Sequence, residues 1–272
     1  KEMSRPMDAI VNEVQLLLAN GIREITLLGQ IVNFYGIRQI PLKNGESPFV
    51  QLLRRIHDLD GLERLRFLSP HPSGFRDDLI NCYGELSKLC PHVHLPIQSG
   101  SNRILRLMRR PYTREKVLKI MQQLRKHLPL ISISTDLIVG FPTESDEDFQ
   151  DTLRLFDEVT FDMAFVFKYS RRTGTGAALM DSQISQCVCE ERNHILLERL
   201  KTSSLERNRL FLNSTQLVLV KQPSARDPNI FIGYTPHHKK TFFPASADVL
   251  GKTVAVKIHD VTCACLLGEL LA

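Results

Sequence analysis

The sequence predicts an α/β fold, a partial barrel of parallel strands and helices followed by a small all-β barrel. Strand-like and helix-like segments alternate through the first two thirds of the 272 residues, as in parallel sheets with helical crossovers. A dense apolar, β-branched run at 131–139 indicates a strand buried on both faces. Helical periodicity stops near Asn213, and short strands separated by turns follow. Periodicity alone does not separate an open barrel from a flat sheet, and we favour the barrel.

The first part contains five predicted strands, joined by helices with right-handed crossovers. Pro6 suits a first helical turn, and Asn20 with Gly21 forms a stop signal. The predicted strands are 24–29, 64–69, 93–97, 131–139 and 163–169. The predicted helices are 6–20, 49–59, 77–89, 102–109, 114–126 and 145–158.

The texture changes after Tyr169. A Gly- and Thr-rich turn at 172–176 leads into a long polar helix, predicted at 187–211. The short strands beyond it are predicted at 217–221, 230–234, 240–243, 253–258 and 265–270. This pattern is typical of a small β-barrel. We therefore predict two domains, 1–212 and 213–272.

Composition and charge limit the class of protein. With 43% hydrophobic residues and a net charge of +5, the chain can bury a sizeable core and favours a polyanionic partner. No apolar stretch is long enough to span a bilayer, and the first residues lack the apolar segment of a signal peptide. We expect a cytoplasmic protein without membrane contact.

The six cysteines do not have the spacing of a metal site. Cys187 and Cys189 are separated by one residue, as are Cys263 and Cys265. Zinc and iron–sulfur loops usually have gaps of two or three residues, so structural roles are favoured and no metal ligand is predicted.

Polar and glycine residues follow the predicted strands where each one ends, and in parallel α/β barrels this edge carries the functional site. The candidate ligand groups are the amides of Gln30, Asn33 and Gln98 and the hydroxyls of Ser69, Ser99 and Thr135. Asp136, inside an apolar strand, is equally consistent with a structural hydrogen bond and with a functional role. His71 and His94 fit ordinary core or loop histidines better than acid–base groups. There is no nucleophile–base pair and no Gly-rich phosphate loop, so these residues predict a ligand site without defining a reaction.

Six motifs in this order resemble the radical SAM methylthiotransferases, in particular the branch that modifies tRNA. The motifs are residues 4–6, 28–33, 68–72, 94–101, 108–115 and 134–142. The segment after Asn213 resembles the TRAM domain that follows the radical SAM domain in this family. The resemblance covers nearly the whole chain.

The resemblance implies a specific chemistry. These enzymes hold a [4Fe-4S] cluster on a Cys-x3-Cys-x2-Cys loop and cleave S-adenosylmethionine (SAM) to a radical. The radical removes hydrogen from C2 of an isopentenyl-modified adenosine next to the tRNA anticodon, where a methylthio group is installed with the help of a second [4Fe-4S] cluster. The implied partners are tRNA and a flavodoxin-like electron donor, and we expect a monomer.

The resemblance also implies cofactor contacts, matched motif by motif. Gly29 and Gln30 match the turn that helps hold the methionyl end of SAM, while Gln98 and Ser99 match the corner that faces its ribose or carboxylate. The strand edges around the adenine correspond to Val139, Gly140, Pro142, Tyr169 and Ser170.

The chain departs from the family pattern in three places. The family's cluster loop lies immediately upstream of Glu2, so we expect both clusters' ligands to be absent here and this chain alone to be inactive. Ile31 stands where the tRNA branch usually has asparagine, beside the expected SAM site. The turn at 171–176 replaces a more proline-rich version.

Basic residues fall into two predicted RNA-binding groups. Arg103, Arg106 and Arg110 share one face of a short helix. A solvated basic face is the alternative, but its position beside a site corner favours phosphate contacts. In the barrel, the predicted RNA-binding residues are Lys221, Lys239 and Lys240. Of the nearby aromatics Phe231, Tyr234, Phe242 and Phe243, at least half are expected in the core.

Two other functions remain open from the sequence. The same chemistry could act on a ribosomal-protein side chain instead of tRNA. Alternatively, the chain could be a non-catalytic RNA-binding remnant made of the barrel shell and the TRAM-like module.

Overall fold

The computed structural model describes residues 3–271; Lys1, Glu2 and Ala272, and with them the two ends of the predicted domains, lie outside the described residues. The helices are α1 Met7–Ala19, α2 Pro48–His57, α3 Asp77–Glu85, α4 Asn102–Leu107, α5 Arg114–His127, α6 Asp146–Val159 and α7 Gln186–Arg209. The strands are β1 Glu24–Leu27, β2 Arg64–Phe67, β3 His92–His94, β4 Ser132–Val139, β5 Met163–Lys168, β6 Thr215–Pro223, β7 Ile230–Tyr234, β8 Lys240–Pro244, β9 Thr253–Val261 and β10 Leu266–Leu270. Each predicted strand and helix is confirmed, with ends shifted by a few residues. None of the helices in this described part has the length and apolar character needed to span a bilayer.

The chain forms two compact units. The first holds the residues up to Pro96 together with Pro111–Ile131, and the second holds Ile97–Arg110 with the residues from Ser132 onward. The sequence-predicted boundary near Asn213 is a different division, and it stays a prediction.

The first unit is built around the parallel pair β1–β2, in register from Glu24 opposite Arg64 to Leu27 opposite Phe67. All four residues of β2 are buried, including two arginines. Arg66 donates its Nε to Glu24 Oε2 at 3.2 Å, and Arg64 lies 3.7 Å from the same oxygen. These ion pairs explain how a strand with alternating arginines can lie inside an α/β layer, since buried charges must be paired.

In the second unit, β4 and β5 pair in parallel from Ser134 opposite Met163 to Val139 opposite Lys168. Helix α7 covers one face of this pair, where Asn193 donates to the carbonyl of Val166 at 3.0 Å and Ser203 to that of Phe161 at 2.5 Å. Polar residues on this helix therefore satisfy backbone acceptors that burial would otherwise leave without a donor. The predicted parallel α/β fold is confirmed.

The five C-terminal strands close into a barrel, as predicted, and their order in it is β10–β8–β7–β6–β9. Its core is a cluster of buried apolar side chains, namely Phe211, Val218, Val220, Phe231, Phe243, Val249, Val256, Ile258 and Leu266. Phe231 and Phe243 are buried whereas Tyr234 and Phe242 are half-buried, which confirms that half of these aromatics belong to the core. A closed barrel leaves no free sheet edge, which suits so small a module.

One carboxylate joins the barrel to the rest of the second unit. Asp162 Oδ2 accepts the backbone N–H of Ile133 at 2.9 Å, at the start of β4. Its Oδ1 accepts Nε of Arg207 on α7 at 3.2 Å and Nζ of Lys239 in the β7–β8 turn at 2.6 Å. The Asp162, Arg207 and Lys239 side chains are at most 9% exposed.

We predict that Asp162→Asn lowers the free energy of unfolding by about 3 to 5 kcal/mol, because two buried cations lose their counter-charge. Urea unfolding followed by circular dichroism measures this change. The matched control is Asp157→Asn, whose carboxylate pairs with Arg199 at the surface and should cost less than about 1 kcal/mol. Equal losses in the two variants would contradict the central role of Asp162.

Candidate functional site

A groove of about 710 Å³ opens where β4 and β5 end. Seven of its fifteen described lining residues have apolar side chains, namely Leu107, Met108, Ile138, Phe141, Phe167, Ala177 and Met180. The other lining residues are Arg109, Arg110, Lys168, Tyr169, Ser170, Arg172, Thr175 and Gly176. The size falls within the usual range of small-molecule sites, and its position at the C-terminal ends of parallel strands is where α/β proteins bind ligands.

Glycine is required at the end of β4. Gly140 has φ +72°, and a Cβ there would overlap Sγ of Cys189 on α7. Its N–H donates to Glu144 Oε2 at 2.7 Å, and the same oxygen accepts Nη1 of Arg192 at 2.7 Å. Burial raises the pKa of Glu144, against the lowering effect of these two hydrogen bonds. The strand therefore ends in a fixed corner directly behind the groove.

The second corner, at Gln98–Ser101, is tied to the same strand. The N–H of Gln98 donates to the carbonyl of Asp136 at 2.8 Å, and the carbonyl of Gln98 accepts the N–H of Ile138 at 2.9 Å. The backbone of Gln98 has φ +78°. Ser99 is buried, and its Oγ accepts the N–H of Ser101 at 3.2 Å. A Cβ on Gly100 would lie 2.5 Å from the Cα of Thr152 on α6. The corner is held by backbone pairing and close packing.

Asp148, near the start of α6, fixes this corner electrostatically. Its carboxylate accepts Ser101 Oγ at 2.6 Å and is bidentate with Arg103, which also donates Nη2 to the carbonyl of Thr143 at 2.5 Å. Asp148 and Ser145 form a capping box at the start of α6. Burial works to raise the pKa of Asp148, but the hydrogen bonds from Arg103, Ser101 and Ser145 outweigh it and hold that pKa well below its usual range.

Tyr169 forms one wall of the groove. Its ring lies 5.4 Å from that of Phe141 in an edge arrangement, and its N–H donates to the carbonyl of Val139 at 2.8 Å. Among the described residues, its buried hydroxyl finds no hydrogen-bond partner. An apolar aromatic wall with one unsatisfied hydroxyl fits a purine nucleoside, which offers a flat face and polar edges.

The groove lining is strongly basic. Of the described residues that line it, four are cationic (Arg109, Arg110, Lys168 and Arg172) and none is acidic. Lys168 is partly balanced by Glu190, whose Oε1 lies 3.3 Å from its Nζ. Such a rim attracts phosphate groups.

The structure places the predicted cofactor-binding residues in different environments. Tyr169 and Ser170 line the groove, while Val139, Gly140 and Pro142 are buried in the strand end and corner next to it. Ser99 is enclosed in its own corner, so its hydroxyl supports the backbone. Gln98 joins the sheet through its backbone, and its side chain is half-buried.

Gly29 and Gln30 belong to the first unit, where they line a separate cleft of about 370 Å³ with Met3, Ser4, Arg5, Ile10, Leu28, Ile31, Val32, Phe34 and Tyr35.

Two other residues considered as ligand groups in the sequence, Asn33 and His71, form structural hydrogen bonds in this unit. The amide of Asn33 donates to the carbonyl of His71 at 3.0 Å and accepts its N–H at 2.9 Å. Nδ1 of His71 accepts the N–H of Ser73 at 3.2 Å, as expected for a loop histidine.

The predicted RNA-binding residues also differ in their exposure and in their partners. Arg106 is exposed, and Arg110 reaches the groove. Arg103 is engaged with Asp148. Lys239 does not fit a phosphate contact, because its ammonium group is buried against Asp162. The basic residues around Lys239 in the sequence do not indicate that its side chain points inward.

Lys221 is exposed on the barrel, and Lys240 lies in a half-buried aromatic setting. Nζ of Lys240 is 4.9 Å from the centre of the Phe242 ring, and Tyr234 stacks on His238 at 5.1 Å. Because Tyr234 is opposite Lys240 in the β7–β8 register, these groups share one face of the barrel. Aromatic and basic groups on one face suit base stacking and backbone contacts.

Cysteines do not gather into a cluster site in the part of the chain that the structure describes. Cys82, Cys90 and Cys189 are buried, and burial raises the pKa of Cys82 to about 12 and of Cys90 to about 11. Within residues 3–271, no group of three or more His, Cys, Asp or Glu side chains is arranged to hold a metal ion. The residues described here do not fit an iron–sulfur cluster.

Family models match most of the chain. The model of the radical SAM superfamily matches residues 1–156, and that of the TRAM domain matches residues 209–271. The chain belongs to the radical SAM superfamily. This superfamily generally uses SAM and iron–sulfur clusters. The resemblance drawn from the six motifs is confirmed, and so is the second module.

Two curated relatives that match nearly the whole chain share a name. A protein of Opitutus terrae named tRNA-2-methylthio-N(6)-dimethylallyladenosine synthase is 52% identical over 99% of this chain and 56% of its own length. The protein of the same name from Methylacidiphilum infernorum is 44% identical over 96% of this chain and 56% of its own length. The chain thus spans about half the length of these curated relatives.

Among solved structures, the coproporphyrinogen III oxidase of Escherichia coli, a radical SAM enzyme, matches with a TM-score of 0.50 and 15% identity. The match covers 85% of this chain and 59% of that chain. At this identity the likeness shows the fold alone, and it agrees with the α/β architecture.

Sequence reasoning missed several groove residues. Phe141 stands inside a motif whose predicted site residues are Val139, Gly140 and Pro142, and Arg109 lies between the predicted RNA contacts Arg106 and Arg110. Phe167 lies in a predicted strand, where an apolar residue indicates burial rather than a ligand surface. The positions of Phe141 and Arg109 inside two of the six motifs are the signals that could have located them.

We predict that Asp148→Asn lowers the free energy of unfolding at pH 7 by about 2 kcal/mol, the value of charge-assisted hydrogen bonds. Because the folded-state pKa is depressed, this stabilisation is complete above the ordinary aspartate pKa of about 4 and is lost as the pH falls below it. Urea unfolding of both proteins from about pH 7 down to about pH 3 should show their stabilities converging.

The control for this pH series is Asp151→Asn, which removes a surface pair with Arg154. It should cost less than about 1 kcal/mol at neutral pH. A constant difference between the wild type and Asp148→Asn at all pH values would contradict the electrostatic account.

Proposed function

We propose that the chain is part of a tRNA methylthiotransferase that uses SAM radical chemistry to add a methylthio group to C2 of a dimethylallyl-modified adenosine. The observation that carries this proposal is the groove at the ends of β4 and β5, with an apolar floor and a cationic rim. The names of the relatives support tRNA over a ribosomal-protein acceptor. The TRAM domain supports an RNA partner.

The groove supplies separate surfaces for cofactor and RNA. The Phe141–Tyr169 wall takes the adenine of SAM, and the Gly140 corner, packed against Cys189 on α7, fixes the backbone that carries Phe141. When bound and reduced, SAM supplies the hydrogen-abstracting radical. The residues of the chain orient the cofactor and limit the access of water. Gly29 and Gln30 as holders of the methionyl end remain a prediction.

Arg109, Arg110 and Arg172 contact tRNA phosphates at the rim, with Arg106 nearby on α4. Lys221, Lys240 and the Tyr234–His238 stack form a second contact on the barrel. Such contacts set the register of the RNA and leave base selection to the groove. Arg103 supports the rim through Asp148, and Lys239 is not part of this interface.

The proposal extends to the clusters, the electron donor and the state of the enzyme. The [4Fe-4S] clusters are held outside the described residues in the complete gene product, and the isolated chain is inactive. A flavodoxin-like reductant and a monomeric, cytoplasmic enzyme complete the scheme.

The decisive experiment expresses the complete gene product in a bacterial strain that lacks tRNA methylthiolation, grown with isotope-labelled methionine. Mass spectrometry of tRNA nucleosides should show the label in a 2-methylthio derivative of dimethylallyladenosine, which the strain with an empty vector lacks. Label in a ribosomal protein and none in tRNA would support the other acceptor and contradict this function.

The cofactor assignment predicts a specific effect of Tyr169→Phe. Because the hydroxyl is buried without a partner among the described residues, its removal should leave the stability of the ligand-free protein within about 0.5 kcal/mol. If the hydroxyl pairs with SAM, the affinity for SAM should fall about three- to tenfold. Equilibrium dialysis of the complete gene product with labelled SAM measures this affinity.

Tyr83→Phe is the matched control. The Tyr83 hydroxyl donates to the carbonyl of His92 at 3.3 Å, so its loss should reduce stability without changing the affinity for SAM. Unchanged SAM binding by Tyr169→Phe would contradict the hydroxyl contact.

A further inference from the structure

Three lysines share the exposed side of α5, namely Lys116, Lys119 and Lys126. The opposite side of the helix is buried through Val117, Ile120, Met121 and Leu124. With about 3.6 residues per turn, positions 116, 119 and 126 fall on one side of a helix and span about 15 Å along its axis. We name these three residues the lysine face.

The lysine face is not neutralised within the protein. Among the described residues 3–271, none of the three ammonium groups forms an ion pair with a carboxylate. Other surface cations of the same unit are paired, since Arg55 lies 2.7 Å from Asp8 and Arg23 lies 4.0 Å from Glu63. The charge of the lysine face is therefore available to a partner.

The position of Lys116 is unfavourable for the helix itself. Lys116 lies in the first turn of α5, where its N–H donates to Oγ1 of the capping residue Thr113 at 3.4 Å. The first turn is the positive end of the helix dipole, so a cation there destabilises the helix, and like charges on adjacent turns repel each other. Only Lys126, in the last turn, is favoured by the dipole. Because the helix gains nothing from Lys116, a role in binding is favoured.

The lysine face fits phosphates better than a protein surface. Stable protein interfaces are depleted in lysine and depend on aromatic or arginine anchors. In the described chain, α5 exposes no large apolar side chain, and its Leu118 is half-buried. Lysine ammonium groups are compact charges on flexible stems, and they contact phosphates whatever the nucleotide sequence.

The same face lacks groups that stack on bases. Helix α5 contains no Phe, Tyr or Trp, unlike the barrel face that carries Tyr234. Single-stranded RNA is held largely by stacking, whereas paired RNA is recognised through its backbone. A paired stretch is therefore the form of RNA that the lysine face fits.

Resting on the proposed function, we propose that the lysine face binds phosphates of a paired arm of the tRNA substrate. Helix α5 belongs to the first unit, whereas the rim and barrel contacts of the proposed function belong to the second. The lysine face is thus an additional tRNA-binding surface. It adds affinity without selecting a base or a modification, because phosphates carry no sequence information.

The test is the salt dependence of tRNA binding by the complete gene product, measured by fluorescence anisotropy from about 50 to 200 mM salt. Each lost phosphate contact should reduce the steepness of log affinity against log salt by about one. Lys116→Gln/Lys119→Gln/Lys126→Gln should therefore reduce it by about two to three and weaken binding at least about tenfold at the lowest salt. An unpaired oligonucleotide with the sequence of the anticodon loop should bind this variant and the wild type equally.

Two control variants accompany this series. Lys116→Arg/Lys119→Arg/Lys126→Arg keeps the three positive charges and should retain the salt dependence of the wild type. Arg23→Gln/Arg55→Gln removes two cations of the same unit that are already paired with carboxylates, and it should not change the salt dependence. Thermal unfolding should show the glutamine variant to be as stable as the wild type, since its three substitutions break no ion pair among the described residues.

An unchanged salt dependence in the glutamine variant would overturn the lysine face and leave the proposed function intact. If that variant were instead reduced more slowly by a flavodoxin, the face would belong to an acidic protein. Equal weakening for tRNA and for the unpaired oligonucleotide would overturn the assignment to a paired arm. Failure of the wild type to bind tRNA would overturn the proposed function itself.

Discussion

The second unit is organised around the carboxylate of Asp162. This single side chain accepts hydrogen bonds from the first residues of β4, from α7 and from the turn between β7 and β8. A buried carboxylate between two buried cations is stable only if all three groups arrive together, because any one of them alone would carry a large desolvation cost. The barrel is therefore attached to the sheet by a charge requirement in addition to apolar packing.

A second set of charges secures the opposite end of the same strand. Glu144 and Arg192 hold the Gly140 corner, and Asp148 with Arg103 holds the start of α6. The strand β4 is thus fixed at both ends by carboxylates that follow it in sequence, Asp162 at its start and Glu144 at its end. Rigid support of this kind keeps binding groups in place.

The elements of this fold could be read from the sequence because their patterns are local. Apolar periodicity, helix caps and turn residues located each strand and helix within a few residues, and the motif around Gly140 located the groove. The orientation of Lys239 could not be predicted, because its partner Asp162 is 77 residues away and a run of basic residues is typical of a surface. Phe167 was missed because an apolar strand residue indicates burial, and only the paired structure shows which side of β5 is covered.

In the proposed function, the cationic rim and the apolar lining of the groove have different tasks. Contacts between arginines and phosphates are strong but do not distinguish one base from another. An apolar surface distinguishes modestly, since an unmodified base is not repelled and only fails to gain contact area. Under the proposed function, selection of one adenosine therefore requires both kinds of contact, an RNA backbone held by the rim and a base held by the apolar lining. Because both surfaces belong to one unit whose strand is fixed by buried charges at each end, their spacing is set by the fold.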